Sequence, residues 1–376
     1  MGSKRAMLRN GLGELLTELV PARDRFFDLF CGSGSVAGYV AQRFSVPVYA
    51  CDLQTYAVAL TACQVEQTAP FTYEDVGEGW ISAAAKWIAA YSDEWQHANQ
   101  LRPSGPSFDA WRSAVRNARE FCSNLPDVFP IAQAYGGYYY SPVQAMVLDS
   151  LRANLPSPQR TAALAALIDA ASSCAAAPGH TAQPFGTKDS ALPHLAAAWE
   201  KDLSLVCLEA LKRNASLKAK VGGQVSHSDA VSLTQKLTPR DVAFIDPPYS
   251  EVQYSRFYHV LESISRGSVG EVSGMGRYPA LASRPQSKFC LLTKSAEAFD
   301  ELMLGVACSG ADALVTFPAQ DASNGLSGDL VEAISGQYFR IKARKVTSLF
   351  STLGGNSVSR HARKTATELI LHLEPR

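Results

Sequence analysis

The chain has 376 residues, 47% hydrophobic and 19% charged, and its 35 Lys and Arg are balanced by 35 Asp and Glu for a formal net charge of +0. That composition belongs to a globular protein that can bury one large core or two smaller ones; it excludes bulk disorder, and it confines any surface for phosphate backbones to a local patch. No apolar run approaches the roughly 18 to 20 residues of a membrane span, and the N-terminus lacks a signal-like apolar segment, so a cytoplasmic protein is expected.

Residues 4–20, KRAMLRNGLGELLTELV, space apolar side chains as an amphipathic helix does and stop at Pro21. RFFDLF follows as a short strand, then the glycine turn CGSGS, the helical stretch VAGYVAQRF, a second strand VPVYACD and a second helix LQTYAVALTACQVEQ. This β-loop-α-β-α order predicts the opening of a doubly wound α/β sheet. From residue 70 to 220 the character changes to helical segments such as WISAAAKWIAAYSDEW and TAALAALIDAASSCAAA, almost without strand signals. The α/β rhythm resumes with VGGQVSHSDAVSL, DVAFIDPPY and ADALVTFP, and closes on a hairpin-like pair, FRIKARKVTSLF and TATELILHLEP. The expected organisation is one α/β domain from residues 1–69 and 221–376, interrupted by a helical insertion at 70–220.

The eight cysteines are dispersed with no C-x-x-C pair, so neither a disulfide framework nor a zinc site is expected, and no metal ligands are assigned. Gly32 and Gly34 let backbone N–H groups approach a ligand at a helix N-terminus. Gly32 to Ala37 also fits the dinucleotide fingerprint, and Asp52 ends the second strand where a ribose-binding acid belongs, so a nicotinamide-dependent oxidoreductase stays open on these residues alone. Asp28, inside the first strand in the pattern D-x-F-x-G-x-G, favours a cofactor with a cationic end over one with a pyrophosphate. Asp229 follows the strand at 221–228 and either accepts a hydrogen bond from a cofactor's adenine or caps the next helix.

In FIDPPYSEVQYSRFYHVLE the prolines end a buried strand and remove two N–H donors. Asp246 and the carbonyl of Pro247 can then accept both hydrogens of one exocyclic amine, while Tyr249 offers a flat face to an aromatic ring. Tyr254, Arg256, Tyr258 and His259 come next and either line the pocket or pack a helix.

With D-L-F-C-G-S-G-S, C-D-L, S-D-A and D-P-P-Y in place, the sequence resembles S-adenosylmethionine-dependent DNA adenine N6-methyltransferases in which the cofactor motif comes first and the recognition segment precedes D-P-P-Y. GSKRAML, DPPYSEVQYSRFYHVLE, RPQSKFCLLTKSAEAF and QDASNG are similar to further segments of that group. The resemblance implies a Rossmann-like methyltransferase sheet with a largely helical inserted target-recognition domain. It implies S-adenosylmethionine contacts from Ser3, Lys4, Asp28, Gly32, Gly34, Asp52 and Asp229, and catalysis at Asp246, Pro247, Pro248 and Tyr249. Tyr254, Arg256, Tyr258 and His259 are then substrate-binding candidates. Double-stranded DNA is the implied partner, methylated at a specific sequence after base flipping, with a cognate restriction or defence system as a further implied partner in a prokaryotic cytoplasm. An RNA base or a protein amide is the alternative acceptor for the same clamp. Arg102, Arg112, Arg116, Arg119 and the cluster YGGYYYSP are candidates for DNA contacts or, equally, ordinary surface charge and a packed turn. Two departures from the group's pattern stand out: Val252 replaces a usual Arg, and TFPAQDASNG replaces the usual S-Y-x-x-x-G, which leaves Thr316 and Pro318 with no implied role.

Overall fold

The computed structural model describes residues 4–103, 107–351 and 363–376, and these form two compact units. The first comprises residues up to Ala69, Lys218–Gln253 and Gln286–Arg376; the second comprises Pro70–Leu217 and Tyr254–Pro285. No helix among the described residues is long and apolar enough to cross a membrane.

The first unit is built on a sheet whose strands, in chain order, are β1 (Arg25–Asp28), β2 (Val48–Asp52), β3 (Gln224–His227), β4 (Asp241–Ile245), β7 (Asp312–Pro318), β8 (Phe339–Ser351) and β9 (Arg363–Pro375). A separate two-stranded ribbon in the second unit supplies β5 (Val272–Ser273) and β6 (Tyr278–Pro279). The sheet order is β3-β2-β1-β4-β7-β9-β8, parallel except for β9. Strands covered on both faces are mostly apolar, and every residue of β4 is buried, the one charged residue, Asp241, being paired with Arg25. Phe26 and Phe27 face opposite ways. Phe26 packs with Val48, Phe244, Leu12, Leu16, Val36 and Val40, from the helices Leu12–Leu19 and Ser35–Arg43. Phe27 packs with Ile245, Phe317, Phe299, Met303 and Val331, from the helices Ser295–Ser309 and Gly328–Tyr338. The result is the Rossmann-like, doubly wound α/β fold expected from the sequence.

The chain leaves β1 toward β2 on one side and reaches β4 on the other, so the strand order reverses between β1 and β4. Open α/β sheets bind ligands outside the carboxyl ends of the strands at such a point. The register pairs Asp28 with Phe244, which brings the glycine turn after β1 and the D-P-P-Y turn after β4 to the same edge of the sheet.

Two local expectations change. The helix expected over 4–20 is divided into Lys4–Leu8 and Leu12–Leu19, because Gly11 takes φ 91° and breaks the ladder. The strand expected from Val221 starts only at Gln224; Gly223 lies so close to the Val48 carbonyl that a Cβ there would come within 2.2 Å of it.

The second unit is helical, with long helices at Tyr73–Ala89, Phe108–Ser123, Pro142–Ala153, Arg160–Cys174 and Leu203–Ala215. Ser141 and Gln144 form a capping box at the start of Pro142–Ala153. This unit also takes in Tyr254–Pro285, which the sequence reading assigns to the α/β part. The segment holds the helices Tyr254–Phe257 and His259–Arg266 and the two-residue strands β5 and β6.

Gly34 adopts φ 77°, and a Cβ there would stand 2.4 Å from Gln64 Nε2 and 3.0 Å from Thr61 Cα. Gly34→Ala is expected to lower unfolding stability by about 1–3 kcal/mol through left-handed strain and crowding, measured as a shift of the urea midpoint without a change of slope.

Candidate active site

β1 delivers Asp28 to the sheet edge with only 1% of its surface exposed. Its Oδ1 accepts the Phe30 N–H at 3.4 Å. Burial pushes the carboxyl up to about 7 against the backbone donors that favour its charge, and the nearby Asp246 and Asp52 add to the rise. A neutral, buried acid at the mouth of a ligand crevice becomes a carboxylate most readily when a cation arrives.

The turn that follows puts Gly32 at φ 50° and Gly34 at φ 77° before the helix Ser35–Arg43. The two glycines serve different purposes. A Cβ on Gly34 would collide with its neighbours, whereas a Cβ on Gly32 would meet nothing within 4 Å, so the chain passes Gly32 beside open space. Asp52, ending β2, fixes this turn from the side: its Oδ2 accepts the Gly32 N–H at 3.0 Å and its Oδ1 the Gln54 N–H at 2.9 Å. Asp229 caps the short helix Ala230–Thr234, accepting from Ser232 N at 3.0 Å and Ser232 Oγ at 2.6 Å. Burial opposes the charge of Asp229, yet these donors hold its carboxyl below the usual carboxylate range.

At the end of β4, Asp246 is gripped through a single oxygen. Its Oδ1 receives Lys4 Nζ at 2.9 Å and Thr316 Oγ1 at 2.9 Å. Among the described residues no hydrogen bond reaches Oδ2. Lys4 is also 3.4 Å from Glu368 Oε2, and Glu368 is 3% exposed. Burial disfavours the Lys4 ammonium, but Asp246 and Glu368 outweigh it and hold its pKa above the ordinary lysine value. Two residues on, Asn324 Nδ2 donates to the Pro248 carbonyl at 2.8 Å and to the Phe289 carbonyl at 2.8 Å. The prolines therefore free the Pro247 carbonyl, to which no described group donates, while the next carbonyl is tied down. Tyr249 meets Phe317 edge to face, with ring centroids 6.3 Å apart.

Ser3 lies outside the described residues. Lys4, Asp28, Gly32, Gly34, Asp52, Asp229 and the loop Asp246–Tyr249 all belong to the α/β unit. Tyr254, Arg256, Tyr258 and His259 belong to the helical unit. Tyr258 and His259 are buried, at 8% and 2% exposure. The His259 ring lies between two carbonyls, Nε2 2.7 Å from Gly276 O and Nδ1 3.1 Å from Arg256 O. Burial pushes its pKa down to about 4, so it is neutral at pH 7. Arg256 is exposed and lies over the Tyr278 ring, 5.3 Å from its centroid. Tyr254 is half-buried with its edge toward Phe257.

The tyrosine cluster at 135–140 is a packed turn. Tyr135, Tyr139 and Tyr140 are fully buried, with hydroxyls bonded to Ser263 Oγ, to the Thr181 and Gly276 carbonyls, and to the Ala171 carbonyl. Arg112 pairs with Asp109 and Asp189, and Arg119 is held over the Tyr138 ring by its bond to the Gly137 carbonyl. Sequence reasoning missed Glu368 and Asn324 and gave Thr316 no part. The spacing of Asn324 after Thr316 carried a signal only as a departure from a family pattern.

A doubly wound sheet with a glycine turn and an acid-proline turn at its switch point places the chain among the Rossmann-like α/β proteins. The family model for D12 class N6 adenine-specific DNA methyltransferase matches residues 1–122 and 179–316, more than half of the chain. The chain belongs to that family: it is an adenine-specific DNA methyltransferase with DNA as its substrate, which removes the oxidoreductase alternative. No curated protein matches it.

Asp28 sets a pH dependence of stability. Its folded-state pKa near 7 lies above the usual 3.8, so the native state holds the proton more tightly than the unfolded chain. Stability from this group is fully present below pH 3.8 and is lost as pH rises through about 7. Asp28→Asn is expected to leave stability unchanged at pH 4 and to raise it by about 1 kcal/mol or more at pH 8, read as a higher thermal midpoint of the cofactor-free protein.

Proposed function

We propose that the methyl donor is S-adenosylmethionine, that adenine is flipped out of double-stranded DNA into the D-P-P-Y pocket, and that the helical unit, residues 70–220 in the sequence reading, recognises a specific sequence around it. The observation that carries this reading is the one-sided grip on Asp246: Oδ1 is anchored by Lys4 and Thr316, and no donor among the described residues reaches Oδ2.

The residues fit the donor. Asp28 is a buried acid, pushed up to about 7, that gains its charge in the presence of a sulfonium or ammonium cation. Gly32 opens space beside a helix N-terminus, and Asp52 ends β2 at the position of a ribose-binding acid. Bound there, S-adenosylmethionine supplies an electrophilic methyl group. Asp229 keeps its structural cap and presents a charged edge to the same strand ends.

The chain's own groups prepare the acceptor. Asp246 Oδ2 and the Pro247 carbonyl accept the two hydrogens of the adenine amine, which draws the nitrogen toward a pyramidal shape and localises a lone pair otherwise delocalised into the ring. Tyr249 stacks on the base. Thr316 and Asn324 hold Asp246 and the Pro248 carbonyl, so the clamp is formed before the base arrives; most of the rate enhancement comes from this positioning. The proton lost from the alkylated nitrogen passes to Asp246. Extrusion of the base costs a few kcal/mol of stacking and pairing, which contacts in the pocket offset.

With labelled S-adenosylmethionine and mixed-sequence duplex DNA, label is expected in N6-methyladenine. Asp246→Ala should reduce the rate by about 10²–10³-fold or more. Thr316→Val should lower kcat by about tenfold and leave cofactor affinity unchanged, because it loosens Asp246 without touching the crevice at β1. Wild-type rates in Asp246→Ala would sink the clamp, and label in RNA or protein with none in DNA would sink the substrate.

Cofactor affinity should fall as pH drops below about 7, because the cation then has to displace the Asp28 proton. The limiting slope is about tenfold per pH unit, and calorimetry at pH 5.5 and 8 measures it. Asp28→Asn should bind weakly at both.

A further inference from the structure

Two arginines of one helix in the helical unit are neutralised differently. On Phe108–Ser123, Arg112 pairs with Asp109 and Asp189, whereas no carboxylate among the described residues pairs with Arg119. Arg277, where the turn of the β5–β6 ribbon enters β6, likewise has none. Backbone carbonyls steer both instead. Arg119 Nε donates to the Gly137 carbonyl at 3.0 Å; Arg277 donates to the Ala134 carbonyl from Nε at 2.8 Å and to the Gln133 carbonyl from Nη2 at 3.4 Å. These bonds lay both guanidiniums against one ring, with Arg119 Cζ 4.3 Å and Arg277 Cζ 4.9 Å from the Tyr138 centroid. Like charges meet there: burial pushes the Arg119 pKa down, Tyr138 opposes the fall and Arg277 adds to it.

Both side chains stay open to a ligand. Each is half-buried, and no nitrogen of either is buried without a hydrogen bond. Both Nη groups of Arg119 and Nη1 of Arg277 have no acceptor among the described residues, so they reach the surface. Ser273, Gly274 and Met275 of the same turn are exposed. Holding Arg277 here strains the chain: it takes φ 52°, the one positive φ of a non-glycine residue among those described, at about 1–2 kcal/mol. The interior enforces that turn. The Gly276 carbonyl accepts the Tyr139 hydroxyl at 2.9 Å and lies 2.7 Å from His259 Nε2. Strain so over-determined is found where a side chain has a task.

We propose that Arg119 and Arg277 together grip the phosphate backbone of the DNA, as a fixed anion site that sets the duplex on the helical unit. This rests on the reading that the helical unit meets the DNA. A chain of net charge +0 has no general attraction for a polyanion and depends on local sites. Planar guanidinium forks already oriented by carbonyls lose little freedom on meeting phosphate oxygens, and the phosphate brings the counter-charge that Tyr138 and the carbonyls do not. Such contacts fix register and carry no sequence information directly.

The test measures binding of the full chain to mixed-sequence duplex DNA between about 50 and about 200 mM salt. In Arg119→Gln and Arg277→Gln the amide keeps a donor for the backbone carbonyl while the charge is removed. Each is expected to weaken binding about tenfold at low salt, alike for all sequences, and to reduce the slope of log affinity against log salt by about 1. Arg119→Lys and Arg277→Lys should restore the slope, and Arg112→Gln should leave it unchanged. Wild-type slopes in both glutamine variants overturn the proposal. Footprinting of the wild type decides the matter even where a variant fails to fold. DNA is expected to slow modification of Arg119 and Arg277 by phenylglyoxal, read by peptide mass, and unchanged rates at both overturn the proposal. Sequence recognition is judged separately: labelling of every adenine alike by the wild type would sink that reading, while the slopes and the footprint still decide the phosphate contact.

Discussion

The Lys4 ammonium, held between Asp246 and Glu368, ties three distant parts of the chain to one point: the first helix, the end of β4 and the antiparallel strand β9. Desolvating a lysine is costly, and removing one partner of such a group leaves a buried charge unpaired, so the arrangement holds only where the other elements are correctly placed. β9 must enter between β7 and β8 in the register that sets Glu368 opposite Pro318. The first helix must pack on the sheet with Met7 buried. Only then is Asp246 turned so that one oxygen is occupied and the other receives no hydrogen bond from the described residues. The doubly wound core supplies the energy of folding; the ion pair supplies the orientation of Asp246.

Acids crowd the carboxyl edge of this sheet, with Asp28, Asp52 and Asp246 within electrostatic reach of one another. Their neighbours deal with them differently. Asp52 is held by two backbone N–H groups, Asp246 by a lysine and a threonine, and Asp28, with little besides the Phe30 and Ala37 backbone, retains its proton up to about pH 7. The least compensated acid, Asp28, lies on the strand that pairs with the one ending before Asp246.

The helical unit uses its aromatic residues in another way. Its buried tyrosines form a hydrogen-bonded core: Tyr135, Tyr139 and Tyr140 each give a hydroxyl to a named acceptor or partner, and His259 joins them as a neutral ring. A sequence rich in Tyr and Arg is thus compatible with a rigid interior, and the exposed Arg256 stands apart from residues that share its stretch of sequence but not its exposure.

By itself the sequence determined the strands β1, β2, β4 and β7, because each is a short apolar run bounded by Gly, Pro or Asp, and a strand buried on both faces has no other composition open to it. The acid before the glycine turn and the carboxylate and prolines after β4 are legible in it as local patterns, and the register of β1 on β4 brings them to one edge of the sheet. Spacing could not show whether Tyr258 and His259 are exposed; the structure buries both. Thr316, Asn324 and Glu368 were beyond its reach: they lie 70, 76 and 364 positions from the residues they hold. No local pattern encodes a contact across such a distance. Sheet order and register create it, so which oxygen of Asp246 is held by Lys4 and Thr316 belongs to the tertiary structure.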